Sequence, residues 1–141
     1  MRSWKEVRNE VRRIRPDKGM AKAILKMIKV RVKALKLTDR QEFASLVVED
    51  YYEVIKEAIT ALMAIDGYKT LSHEALITYM KEFYTDFSQS EITLMDQLRV
   101  LRNKIAYKGF FIAPDFLERN EARIEEIVSK IKGVLEEKPS K

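Results

Sequence analysis

Residues 43–65 constrain the fold more than any other stretch. Phe43, Val47, Tyr51, Ile55, Ile59, Leu62 and Ile65 recur at helical spacing, and Leu46, Val48, Val54 and Ala58 widen the apolar arc. A helix apolar over so wide an arc must be covered on most sides. It is the central helix of a bundle, or it also supplies a dimer contact. Glu49, Asp50, Glu53, Lys56 and Glu57 make up the polar remainder. Such a strip is more often an acidic surface than an acid–base pair.

The helical period extends almost everywhere, and no segment alternates like a strand. A first helix is expected from Trp4 to Ile14, stopping before Arg15-Pro16, because the residue before proline avoids helical backbone. Asp17 caps a second helix that runs to about Leu37. Thr38-Asp39-Arg40-Gln41 fits a capping box opening the third helix, from Asp39 to Asp66, with Gly67 as its left-handed stop. A fourth helix follows Ser72 and reaches about Tyr84. Ser88-Gln89-Ser90-Glu91 is a second capping box, for a fifth helix ending near Tyr107 and Gly109. Pro114 starts a sixth, to about Glu136. Short connections between long helices predict an all-α, up-and-down bundle of five or six helices in a single domain over residues 1–141. Residues 1–16 read as an N-terminal helical extension, and residues 137–141 as a frayed tail.

The 141 residues include no cysteine and one histidine, which argues against disulfides and a protein-only metal site, and no cofactor is implied. No apolar run is long enough for a membrane span, and Met1-Arg2-Ser3-Trp4-Lys5-Glu6 leads to no apolar signal core. A soluble, cytoplasmic protein with no membrane partner is expected. The net charge of +5 is uneven: +10 over residues 1–40, −8 over 41–98 and +3 over 99–141. This asymmetry steers an anionic partner to one face, or it pairs helices within the fold.

In the second helix Lys22, Lys26, Lys29, Lys33 and Lys36 align in one stripe, opposite Met20, Ile24, Met27, Ile28 and Leu35. The stripe is a solvated face or a salt-sensitive ridge for RNA phosphates. Arg31 interrupts the apolar side and is expected to pair with an acid of the third helix, such as Glu49 or Glu53. His73, in the first turn of the fourth helix, reads as structural, and Tyr68, Tyr79 and Tyr84 as core-edge residues. In the fifth helix Leu94, Leu98, Leu101 and Ile105 form the core stripe. Around it stand Arg99, Arg102, Asn103, Lys104 and Tyr107. Arg102 and Tyr107 lie about 140° apart on the helix, so they bracket a groove rather than touch. An arginine fork, an amide and a phenol around one groove suit phosphate and base recognition, or an interhelical hydrogen-bond cluster.

Two stretches, Asp50-Tyr51-Tyr52-Glu53-Val54-Ile55-Lys56-Glu57 through Gly67-Tyr68-Lys69-Thr70-Leu71-Ser72-His73-Glu74, and Leu101-Arg102-Asn103-Lys104-Ile105-Ala106-Tyr107, give the chain its family likeness. Over about residues 20–135 it resembles the HEPN-domain family, the all-helical partners of minimal nucleotidyltransferases. The resemblance implies a homodimer whose shared cleft meets RNA or a nucleotide. Active members cut RNA without metal, through an Arg, a polar residue and, after a few variable positions, a His. Arg102 and Asn103 match the first two positions, while Tyr107 stands at the third. A phenol, with an ordinary pKa of about 10, shuttles protons poorly at neutral pH. Toxin-type members carry a Tyr two residues further on, which a partner nucleotidyltransferase modifies with adenylate; Gly109 is there instead.

The leading expectation is a dimeric nucleotide- or RNA-binding protein in a toxin–antitoxin-type module, with weak or no nuclease activity. Its site would be Arg102, Asn103 and Tyr107, with Arg99, Lys104 and the Lys22, Lys26, Lys29 and Lys33 row as further phosphate contacts. A metal-independent ribonuclease using Arg102 and Tyr107 is one alternative. A purely structural interaction module is the other.

Overall fold

The computed structural model describes residues 1–138, so the tail expected to fray lies outside the described residues from Pro139 onward. Six helices follow in order: α1 (Trp4–Val7), α2 (Lys18–Lys36), α3 (Ala44–Asp66), α4 (His73–Phe83), α5 (Gln89–Lys108) and α6 (Pro114–Glu137). Strands β1 (Val11–Arg13) and β2 (Tyr68–Thr70) form a small antiparallel ribbon. The fold is all-α around α3, which packs against α2, α4, α5 and α6. Its side chains from Val47 to Ala64 supply a larger share of the core than those of any other helix. No helix among the described residues is long and apolar enough to cross a membrane.

Local signals place most helix ends. Asp17 accepts from the Met20 amide at 2.9 Å, and Ser72 from the Ala75 amide at 3.1 Å. Ser88 and Glu91 close the expected capping box, and Gly67 and Gly109 stop α3 and α5 at φ 90° and 62°. The expected Thr38 box does not form, and α3 begins at Ala44. Arg40 is drawn to Glu121 of α6 by a 2.6 Å ion pair and also donates to the Leu35 and Thr38 carbonyls. The Thr38 hydroxyl turns back to the Ala34 carbonyl, at 3.1 Å. Long-range pairing thus overrides the local cap.

The first helix also departs from expectation. It ends at Val7, a 3₁₀ turn covers Arg8–Glu10, and the chain then pairs with β2, Val11 opposite Thr70 and Arg13 opposite Tyr68. The Ile14 amide donates to the Gly67 carbonyl at 2.9 Å, so this segment finds its backbone partners in the α3–α4 connection rather than within itself. Residues 1–16 are part of the domain rather than an appendage: Val7 is fully buried, and Trp4 packs edge-on against Phe83 at 5.1 Å.

Two carboxylates tie the periphery together. Glu121 takes Arg40 and the Tyr51 hydroxyl, the latter at 2.5 Å. Asp66, at the end of α3, accepts from the Tyr79 hydroxyl at 2.5 Å, the Tyr84 hydroxyl at 2.7 Å and Lys138 Nζ at 2.8 Å. Lys138, within the tail expected to fray, is therefore held to the end of α3. Burial pushes Asp66 up, but the hydrogen bonds from Lys138, Tyr79 and Tyr84 outweigh it and leave the carboxyl below its ordinary range. Glu121 is lowered in the same way, burial being outweighed by Arg40 and Tyr51.

Several apolar side chains expected inside are outside. The core face of α2 is Ala21, Ile28 and Leu35, with Ile24, Leu25 and Val32 partly covered. Met20 and Met27 are exposed, Met27 by 50%. They lie with Val30 and Leu37 on an outer stripe that the rotation of α2 about Ile28 leaves uncovered. Phe43 and Leu46 are exposed as well, because α3 starts after the first and its opening turn lies at the rim. Arg31 does pair with α3, one turn beyond the expected acids, at Glu57 (2.9 Å).

Ile28→Ala should cost about 2–4 kcal/mol in urea unfolding, and Met27→Ala less than about 0.5 kcal/mol. Asp66 and Glu121 hold fewer protons folded than unfolded. Their stabilisation is complete above the ordinary carboxylate range and is lost as pH falls through their lowered folded values. Melting temperatures between pH 7 and pH 3 should drop, and the drop should be shallower in Asp66→Asn.

Candidate functional site

The C-terminal half of α5 carries Arg99, Arg102, Asn103, Lys104 and Tyr107. Leu94, Met95 and Leu98 bury one side of the helix against the core, which leaves these polar residues at its margin. Arg99 is fastened by its own helix, with Nε 2.8 Å from Asp96. Arg102 is half-buried and its guanidinium stands 5.8 Å from the centre of the Tyr107 ring. The two residues expected to flank a groove without touching do meet, since the arginine stem is long enough to span the angle between them. Tyr107 itself is 77% exposed, so this cation–π contact is worth only about 0.5–1 kcal/mol. Lys104 is exposed, with Nζ 5.7 Å from the Phe110 ring. Asn103 is half-buried on the Tyr107 side of the helix, one turn back.

Four arginines among the described residues are partly buried: Arg31, Arg40, Arg99 and Arg102. The first three hold Glu57, Glu121 and Asp96 at 2.9, 2.6 and 2.8 Å. Arg102 has no carboxylate within ion-pair distance among the described residues. Among the described residues it is the one partly buried guanidinium without an anion.

The Arg102 charge also acts on residues of α3 and α4. Tyr52 of α3 and His73 of α4 approach each other, ring centres 5.8 Å apart, and both feel Arg99 and Arg102. Burial pushes the His73 pKa down, and Lys56 and Arg102 push it further, with Glu53 opposing. The imidazole is therefore neutral at pH 7. Burial raises the Tyr52 phenol far above its ordinary value, although Arg99 and Arg102 pull the other way. Sequence reasoning assigned no function to Tyr52, Glu53, Lys56 or His73. All four fall inside the stretches that carry the family likeness, but nothing in helical spacing brings His73 to α5. That meeting depends on how α4 lies against α5.

The Lys22, Lys26, Lys29 and Lys33 row is exposed and belongs to a different surface. Lys29 reaches toward Glu136 of α6 at 3.8 Å, whereas Arg102 lies over the Tyr107 ring at the end of α5. At the end of α5 the chain leaves an open groove of about 430 Å³, where Phe43, Leu46, Phe110 and Phe111 are all exposed. Comparison with protein-family models, curated proteins and solved structures returns no match.

Arg102→Ala removes a positive neighbour of His73, so the imidazole pKa should rise toward its ordinary value. An NMR titration of the single histidine in both proteins checks this, and an unmoved midpoint would place the guanidinium elsewhere.

Proposed function

We propose that this chain is a HEPN-like helical protein that takes the phosphate of a nucleotide or RNA at Arg102, with Asn103, Tyr107, Arg99 and Lys104 around it. On this reading it acts as a homodimer and as the partner of a minimal nucleotidyltransferase in a toxin–antitoxin-type module. The observation that carries the reading is the unpaired, half-buried guanidinium of Arg102, in a molecule that gives every other partly buried arginine a carboxylate. A phosphate is a bidentate acceptor suited to that fork. Tyr107 offers an exposed ring for a base to stack on and a hydroxyl for its edge.

The apolar surface beside the site supports the dimer. Phe43, Leu46, Phe110 and Phe111 are large, exposed and adjacent to the α5 terminus, and a second copy would cover them. Weak or absent nuclease activity follows from a phenol in the place where active relatives carry an imidazole.

Short oligoribonucleotides should bind with an affinity that falls as salt rises. Arg102→Ala should weaken binding by at least about tenfold, in line with the roughly 1.5–3 kcal/mol of a hydrogen bond to a charged group. Phe111→Glu should turn the dimer into a monomer in sedimentation. Metal-independent RNA cutting that disappears in Arg102→Ala would move the reading to a ribonuclease. Loss of the dimer in Arg102→Ala, with no binding in the parent protein, would move it to an interaction module.

A further inference from the structure

The Tyr52 hydroxyl is the one buried side-chain oxygen or nitrogen among the described residues with no hydrogen-bond partner. The residue is 1% exposed, packed in the core of α3. Phenylalanine would fill the same space without a stranded hydroxyl, and an unsatisfied buried donor is destabilising. The hydroxyl is buried, yet charged side chains stand near enough to act on it. Arg99, Arg102, Glu53 and Asp96 all act on it, and the His73 ring lies 5.8 Å from its own.

The charges around it are uneven. Glu53 is engaged by Lys56 at 2.7 Å and Asp96 by Arg99 at 2.8 Å. Glu74, next to His73, is engaged by Arg2 at 2.8 Å. Arg102 is left over. His73 opens α4, an eleven-residue helix whose N-terminal field adds to the positive potential. Three elements therefore converge on one place: a hydroxyl that lacks an acceptor, a guanidinium that lacks an anion, and a neutral imidazole.

We infer that Tyr52, His73 and Arg102 form a phosphate-receiving notch. The Tyr52 hydroxyl and the Arg102 guanidinium donate to phosphate oxygens, and the His73 ring N–H donates a third hydrogen bond. This rests on the proposed function, since it names the end of that cleft in which the phosphate sits. The hydroxyl is closed to solvent in the free protein, so the phosphate enters as Arg102 leaves the Tyr107 ring and turns inward. A bound phosphate also restores proton affinity to His73. Besides burial, the groups that set its charge are Lys56 and Glu53 on α3 and Arg102 and Arg99 on α5. Binding should therefore take up a proton and tighten as pH falls from 8 to 6.

The test uses the full chain with three probes in low salt: AMP as a monoester, the dinucleotide ApA as a diester, and adenosine with no phosphate. One of the phosphate-bearing probes should bind at least about tenfold more tightly than adenosine, and the preference between them tells which ester the notch takes. Tyr52→Phe should melt at or above the parent temperature yet lose about tenfold in affinity, a divergence that a packing role would not produce. His73→Gln should lose affinity at pH 6 and little at pH 8. A higher melting temperature in Tyr52→Phe with unchanged affinity would overturn the notch, leaving the hydroxyl as one met by an internal water. Should Tyr52→Phe fail to fold, unchanged affinity of His73→Gln at pH 6 overturns it instead. The outcomes separate the two claims. Oligoribonucleotide binding that needs Arg102 but ignores Tyr52→Phe sinks the notch and keeps the proposed function. Tyr52-dependent AMP binding without RNA binding keeps the notch and sinks RNA as the ligand.

Discussion

The burial of α3 is the constraint on which the rest depends. Its apolar side chains from Val47 to Ala64 are all buried, so other elements must approach it from several directions. Each surrounding helix answers with one apolar stripe: Ile28 and Leu35 from α2, Leu94 and Leu98 from α5, Ile124, Ile127 and Ile131 from α6. Polar residues of α3 have little surface left. Glu53, Lys56 and Glu57 are partly buried at the edges of these contacts, where charges from neighbouring helices must meet them. A concentrated polar margin is thus a by-product of a central helix.

That margin is balanced nearly everywhere. Asp66 gathers two tyrosines and Lys138, Glu121 gathers Arg40 and Tyr51, and Glu57 takes Arg31. These contacts join segments far apart in sequence and fix where the connections lie. The charge asymmetry along the chain resolves in part into such pairs, as between the basic α2 and the acidic edge of α3. It does not resolve at Arg102.

What was legible in the sequence was local. Asp17, Ser72, Ser88 with Glu91, Gly67, Gly109 and Pro114 each act on backbone groups within five residues, and each marks a helix end where expected. The misses share the opposite character. The Thr38 box is chemically sound but competes with Arg40 reaching 81 residues to Glu121. The β1–β2 ribbon has strands of three residues, too short for alternation to show. Met20 and Met27 sit at helical spacing with Ile28, and spacing does not say how far the helix rotates toward its neighbour. In the site, Arg102, Asn103 and Tyr107 could be named from one helix. Tyr52 and His73 could not, because their proximity to α5 is a product of packing.

An unpaired guanidinium and an unpaired hydroxyl in one margin do not arise from any shortage of partners in the fold. Arg99, three residues before Arg102, has its aspartate, and Lys56, four residues after Tyr52, has its glutamate. Local pairing at helical spacing was open to this chain and is used on both sides. A single additional acid three or four residues from Arg102 would have neutralised it by the same geometry. Positions 98, 99, 105 and 106 hold Leu, Arg, Ile and Ala instead. Among the described residues, the unpaired guanidinium stands near a buried phenol without a hydrogen-bond partner and an imidazole, each from a different helix. A partner from outside the chain, carrying negative charge and several acceptor oxygens, would satisfy all three at once, whereas no single apolar substitution would.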